Sequence, residues 1–278
     1  MAWQMSGPWL TIITVTKDDL AGLAQTLASA AALRTAGAVH LVVDGGADAA
    51  GTRRVVAQSA GNIAVLARPP RGIADAFNTG LAQAQGEWVW FLNSGDRVDA
   101  RLTPVFLMAL LENTRAEVVI GGLTYEGETG PRPNPPGELQ WPPFRPWIPH
   151  PATLVRRRLF EQAGLYDERY TIGMDYEWWL RVFSVPVAAD VLSAPFAVFA
   201  PGGISQQPGL RQTIARERDD AIRRHQKYLW RAWFSSASRL LRAWCSAGFA
   251  RRISAAAAPT RATGRPASAL PETKTDAR

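Results

Sequence analysis

Apolar residues along the chain fall into short β-favouring runs separated by stretches with helical spacing. The run Trp-Leu-Thr-Ile-Ile-Thr-Val-Thr at 9–16 predicts the first, central strand. Lys17-Asp18-Asp19 marks a turn, and Leu20, Leu23, Leu27 and Ala30 or Ala31 recur at helical spacing, so 20–33 reads as a helix. A strand at 39–43 ends in Asp44-Gly45-Gly46, followed by a helix at 52–58, a strand at 62–66 and a helix at 73–85. Gly86 then opens the run Trp88 to Leu92, a buried strand that stops in Asn93-Ser94-Gly95-Asp96. This β-α-β-α-β-α-β order predicts a parallel sheet with helices on both faces.

Beyond residue 100 the pattern changes. A helix at 102–113 and a strand at 117–123 precede a proline- and glycine-crowded loop at 127–149. Its Trp141, Phe144 and Trp147 either cover a substrate or anchor the loop to the core. A short strand is expected at 150–153, a helix at 158–163, a turn at 164–168, a helix at 174–181 and closing strands at 187–192 and 196–200. From residue 210 the chain reads as helical and basic. Leu229, Trp230, Trp233, Phe234, Ala237, Leu240, Leu241, Trp244 and Gly248 share one side of a helical wheel, and Arg231, Arg239 and Arg242 the other. An apolar face with tryptophan opposite a cationic face suits a membrane surface, or a helix packed on the domain with solvated arginines. After Ala255 large apolar residues almost vanish, which predicts disorder.

Composition adds bounds. The net charge of +7 is concentrated in the tail, and such a basic surface can meet nucleic acid, anionic lipid or a phosphorylated substrate; a nucleic-acid partner rests on the tail alone and is not expected. The single cysteine, Cys245, excludes an intrachain disulfide and suits a reducing compartment. The first residues lack a basic, then apolar, leader, and no stretch reaches the roughly 20 apolar residues of a membrane span. The expected location is therefore cytoplasmic, peripheral at the inner face of the plasma membrane.

In an open α/β sheet, ligands gather at the carboxyl ends of the strands. The candidate groups there are Thr14 or Thr16, Asp44, and Asn93 with Asp96. Neither G-x-G-x-x-G nor G-x-x-x-x-G-K-[ST] occurs, so nicotinamide dehydrogenases and P-loop NTPases fit poorly. Asp175 opens a helix, where it serves either as a first-turn acid or as a working carboxylate.

Four stretches together resemble the family 2 glycosyltransferases, in particular small bacterial enzymes of exopolysaccharide and O-antigen assembly. They are Thr11 to Leu20, the turn Val43-Asp-Gly-Gly-Ala-Asp-Ala-Ala-Gly-Thr52, the segment from Arg71-Gly-Ile-Ala-Asp-Ala-Phe-Asn78 to Asp96, and the segment from His150-Pro-Ala-Thr through Gly164-Leu-Tyr-Asp-Glu168 to Asp175-Tyr-Glu-Trp-Trp-Leu-Arg181. The resemblance implies a GT-A fold, Rossmann-like, with a mostly parallel sheet and flanking helices. The transferase domain would occupy 1–208, with a donor half at about 9–100 and an acceptor half at about 101–208. A basic helical extension would follow at 209–254 and a disordered tail at 255–278.

By position, the resemblance implies an inverting transferase using a divalent metal, Mn or Mg. Asp96 would hold the metal. Thr14, Asp44, Arg71, Asp75, Asn78 and Asn93 would bind the donor, a nucleoside diphosphate sugar and foremost a UDP-sugar. Asp175 would be the catalytic base. His150 and Trp178 would meet the acceptor or the diphosphate, although a histidine at a strand start and a tryptophan pair also suit plain packing. The acceptor would be a lipid-linked or growing glycan, met at a membrane touched by the 229–248 helix. The chain departs from the family pattern at Asn93 and Gly95, where many relatives carry Asp, at Gly45, and at Met174, which replaces a Glu before the base. A degenerate, membrane- or partner-binding domain is the alternative. A sugar-phosphate nucleotidyltransferase is disfavoured, because Thr16-Lys-Asp-Asp stands where such enzymes carry a glycine-rich basic loop.

Overall fold

The computed structural model describes residues 7–67, 71–126, 132–134 and 148–225. The chain divides into two units, Met1–Trp233 and Phe234–Arg278, and all described residues belong to the first. The expected amphipathic helix at 229–248, the tail at 255–278, and Trp141, Phe144 and Trp147 of the long loop lie outside the described residues.

The first half builds as its pattern predicts. Strands β1 (Leu10–Thr16), β2 (Val39–Asp44), β3 (Ile63–Ala67) and β4 (Trp88–Phe91) alternate with helices α1 (Leu20–Ser29), α2 (Ala31–Thr35), α3 (Ala49–Ala57) and α4 (Ile73–Gln83). The four strands are parallel, in the order β3-β2-β1-β4. Helix α3 starts earlier than expected because Asp48 accepts from the Gly51 N–H and caps it.

The second half completes a mixed sheet rather than extending the parallel one. Its elements are β5 (Arg97–Val98), α5 (Pro104–Asn113), β6 (Val118–Tyr125), β7 (Arg132–Asn134), β8 (Thr153–Arg156), α6 (Arg158–Ala163), α7 (Met174–Val182) and β9 (Ala189–Phe199). Strand β8 runs antiparallel to both β4 and β6, and the order continues β4-β8-β6-β9-β5, with β7 added to β6. The strand expected at 150–153 begins only at Thr153. His150–Ala152 forms a 3-10 turn, and Pro151 has no N–H to give a ladder. The two closing strands are one bent strand, β9, whose register on β6 shifts around Gly121 and Gly122. A Cβ on Gly121 would lie 2.1 Å from the Phe196 ring, so the missing side chain lets Phe196 lie on the β6 backbone.

Period-two alternation sorts the core onto the two sheet faces. Ile13, Val89, Phe91, Ile120 and Val155 pack with Phe77 of α4, Phe160 of α6 and Trp178 of α7. Leu10, Ile12, Trp88, Trp90, Val119 and Leu154 pack with Leu33 of α2 and with Leu107 and Leu111 of α5.

A final helix, α8, covers 211–225. It is docked on this core: Ala221 is fully buried, and the Tyr170 hydroxyl donates to Asp220 (2.9 Å).

Gly86 sits where the chain turns into β4, and its N–H donates to the Thr11 hydroxyl (2.8 Å). A Cβ there would lie 2.4 Å from the Thr11 backbone nitrogen. Gly86→Ala should cost about 3 kcal/mol in urea unfolding, with an unchanged denaturant slope. A loss below about 1 kcal/mol would show that the β1–β4 junction can yield.

Candidate active site

The site grows from the end of β4. Because β1 and β4 are parallel neighbours, Thr16 and Asn93 emerge on the same sheet edge. The ladder continues past β4, with the Leu92 N–H donating to Ile13 O (3.0 Å) and the Ser94 N–H to Val15 O (3.1 Å). The chain then turns through Gly95, whose φ of +92° lies in the region glycine adopts without strain. That backbone angle suits glycine at 95. The turn is held from three sides. Thr26 of α1 donates its hydroxyl to Asp96 O (2.7 Å) and accepts from the Gly95 N–H (3.0 Å). The Ser94 hydroxyl donates to Asp19 Oδ2 (2.8 Å). The Ala200 N–H, just past β9, donates to Asp96 Oδ1 (3.1 Å).

These residues line a cavity of about 520 Å³, within the range of small-ligand sites. Thr16, Lys17 and Asp19 form one wall, Gly72 and Ile73 another, and Phe199 to Ile204 a third, with Thr171 at the side. Lys17 is the cationic side chain on this wall among the described residues. Asn93 Oδ1 and Asp96 Oδ2 are buried without a hydrogen-bond partner. Burial pushes the Asp96 carboxyl up to about 7, opposed by the backbone N–H groups of Ala200 and Asn93 and by the charge of Arg97. Two unpartnered oxygens of this type fit a hard divalent cation, which would restore the buried carboxylate to its charged form. Among the described residues no cluster of three His, Cys, Asp or Glu forms, so the protein would supply only part of a coordination shell.

The other expected site residues are placed as follows. Thr14 is fully buried; its hydroxyl donates to Leu92 O (2.6 Å) and meets His40 Nε2 (2.8 Å), so Thr16, not Thr14, reaches the cavity from β1. Asp44 is buried beside the cavity-lining Gly45; its Oδ1 accepts from the Gly46 N–H (2.9 Å) and its Oδ2 is unpartnered. Arg71 is exposed and bridges Asp75 (3.2 Å) and Glu168 (2.8 Å). Asn78 clamps the Tyr166 backbone in both directions, donating to its O (2.9 Å) and accepting from its N–H (3.0 Å). Arg71, Asp75 and Asn78 therefore join α4 to the 164–168 turn instead of lining the cavity.

His150 packs among Phe77, Phe91 and Tyr166, stacked on Phe91 at 5.0 Å, and its Nε2 has no partner. Burial pushes its pKa down to about 4, so it is neutral near pH 7 and can hydrogen-bond but not counter a diphosphate's charge. Trp178 is fully buried, with its indole N–H donating to Gly164 O (2.8 Å). It stacks on Phe160 at 4.2 Å, which makes it a core residue rather than a sugar-facing wall. Asp175 is half-buried at the start of α7, and its Oδ1 accepts from the Tyr176 N–H (2.7 Å). Burial pushes its carboxyl up to about 6, opposed by that bond. It does not line the cavity itself, but Thr171, just before α7, does.

Sequence reasoning passed over Lys17, Asp19, Thr26 and Ser94, and the stretch after β9. The available signal was a threonine, Thr26, on the apolar face that carries Leu23 and Leu27.

Residues 11–174 match the model of Glycosyl transferase family 2. A PGL/p-HBAD biosynthesis glycosyltransferase of Mycobacterium bovis is 30% identical over 187 residues, covering 66% of this chain and 72% of the relative. An uncharacterized glycosyltransferase of Mycobacterium tuberculosis is 28% identical over 181 residues, covering 63% of this chain and 69% of the relative. Among solved structures, S. aureus TarS 1-349 in complex with UDP superposes with a TM-score of 0.57 at 17% identity over 69% of this chain. This chain spans 60% of that one's length. The TarS complex with UDP-GlcNAc gives a TM-score of 0.55 at 16% identity, covering 77% of this chain and 66% of the other. The family match over most of the folded unit, on a sheet of this order, shows that the chain is a transferase enzyme belonging to glycosyl transferase family 2.

Proposed function

We propose that this glycosyltransferase is inverting and moves a sugar from a nucleoside diphosphate, foremost UDP, to a lipid-linked or growing glycan acceptor of the cell surface. The observation that carries the donor site is the cavity at the end of β4, where Asn93 Oδ1 and Asp96 Oδ2 lie buried and unpaired near Lys17. The TarS complexes with UDP and UDP-GlcNAc support a uridine nucleotide in this position. As the diphosphate leaves, charge grows on its oxygens. Lys17 faces the cavity as a counter-charge for it. Asn93 and Asp96 would hold a Mn or Mg ion, which when bound supplies further neutralisation of the leaving group.

Asp175 is proposed as the base that takes the acceptor hydroxyl's proton. One carboxylate and direct attack invert the anomeric centre, without a carboxylate nucleophile. A carboxyl raised to about 6 is largely ionised at pH 7 yet basic enough to accept a proton. The membrane-facing part is proposed to be the 229–248 helix. Among the described residues no helix is long and apolar enough to cross a membrane.

Three outcomes are expected. Calorimetric titration with UDP, GDP and dTDP, each with Mn and with EDTA, should show metal-dependent binding of UDP. Binding indifferent to EDTA would remove the metal, and no binding to any of the three would favour a degenerate, partner-binding domain. Second, Asp175→Asn should lower kcat about 10²–10⁴-fold. In the wild type, with donor and cation saturating, kcat should fall about tenfold per pH unit below about pH 6, as Asp175 takes up its proton. A flat acid limb would exclude Asp175 as the base. Third, truncation after His225, which spares the docked α8, should shift the chain from membranes to the soluble fraction. Continued sedimentation with membranes would exclude the 229–248 helix as the anchor.

A further inference from the structure

Helix α8 lies beyond the residues matched by the family, 11–174, yet it grips the stretch that carries the proposed base. Three consecutive N–H groups, of Thr171 (2.6 Å), Ile172 (3.0 Å) and Gly173 (2.7 Å), donate to the Glu217 carboxylate. They stand at the mouth of α7, whose first two residues are Met174 and Asp175, and α7 has no side-chain cap of its own. Of the first N–H donors of α7, Glu217 satisfies that of the N-cap Gly173, and its other two bonds hold the residues that lead into the helix. Burial would lift the Glu217 carboxyl, but the three N–H bonds outweigh it and hold the group below its usual value.

The approach is close. A Cβ on Gly173 would lie 3.2 Å from Glu217 Oε2 and 3.3 Å from its Cβ, so a glycine is what admits the carboxylate. The same helix also holds the other side of Asp175. The Arg218 guanidinium lies 4.7 Å over the Tyr176 ring, and His225 Nε2 sits 2.8 Å from Glu177 Oε1. Asp175 is thus bracketed in the chain by residues that α8 fixes, and Thr171 carries the same segment to the cavity wall.

We propose that Glu217 is a positioning residue: by holding residues 171–173 from α8 it fixes the segment that runs from the cavity wall at Thr171 to Asp175. This rests on the reading of Asp175 as the base. It also makes α8 part of the transferase's working machinery rather than the beginning of a membrane extension.

The test uses the full chain carrying Glu217→Ala, Glu217→Gln, Asp220→Ala or Asp175→Asn. The readouts are UDP release from UDP-GlcNAc and hydrogen exchange of peptides spanning 170–176. Glu217→Ala should speed exchange at 171–173 and lower kcat at least about tenfold, with the donor KM within about twofold. Glu217→Gln, which keeps an accepting oxygen without the charge, should fall between Ala and the wild type. Asp220→Ala breaks the Tyr170 contact on the same helix and should lower the melting temperature while leaving kcat within about threefold. Should Glu217→Ala fail to fold, Glu217→Gln decides by the same two readouts. Unchanged exchange overturns the proposal, as does a kcat within about threefold of wild type despite faster exchange. If Asp175→Asn keeps its kcat, the base assignment is what fails. If Asp175→Asn is inactive and Glu217→Ala is not, only the role of Glu217 falls. If the wild type releases no UDP, the base assignment loses its support and unchanged exchange in Glu217→Ala still overturns the proposal.

Discussion

One hydroxyl holds the donor edge together. Thr26 lies fully buried on α1, and its side chain both gives a hydrogen bond to Asp96 O and takes one from the Gly95 N–H. A buried turn must satisfy its backbone groups, since an orphaned one costs about 1–3 kcal/mol. A single atom meets two of them here, which frees the Asn93 and Asp96 side chains to point their unpaired oxygens elsewhere. The seating of α1, fixed by Leu23 and Leu27 packing on Val42 of β2 and on α3 and β3, therefore sets where those oxygens stand.

The charge pattern follows from that constraint. With glycine at 95, where the backbone angle suits it, the turn holds one carboxylate, and the fold drives its pKa towards neutrality by burial. Lys17, on the segment bonded to that turn, adds a positive group to the cavity lining. Two acids with shifted affinities for protons, Asp96 and Asp175, arise in one fold through the same cause, desolvation, on two different elements.

The parallel half was readable because each of its strands follows its helix, and because alternation such as Trp88 and Trp90 against Val89 and Phe91 marks two covered faces. The turn Asn93 to Asp96 was readable as a strand end for the same reason. Less legible were features set by partners remote in sequence. The short β5 exists because β9 pairs with it, and β9 reads as two strands because Ser193, Ala194 and Pro195 interrupt its apolar run. Thr14 and Thr16 share one face of β1, so only the depth of the neighbouring strands tells the buried one from the cavity-lining one. Trp178 reads equally as wall or core until Phe160 is seen stacked on it. The role of Glu217 carries no local signature, since its three partners precede it by more than forty residues in the chain.

The cavity is lined by residues from both 15–19 and 199–204. During synthesis the chain must therefore reach residue 204 before the whole lining can assemble. Domains gain their native contacts as units, and distant pairings come late because loop closure must precede them. An early-terminated chain of this kind would hold a parallel sheet and the Asn93–Asp96 turn yet lack the Ala200 N–H that seats Asp96. The assembled cavity is thus a late product of synthesis, and a truncated chain would present the Asp96 turn without its seat.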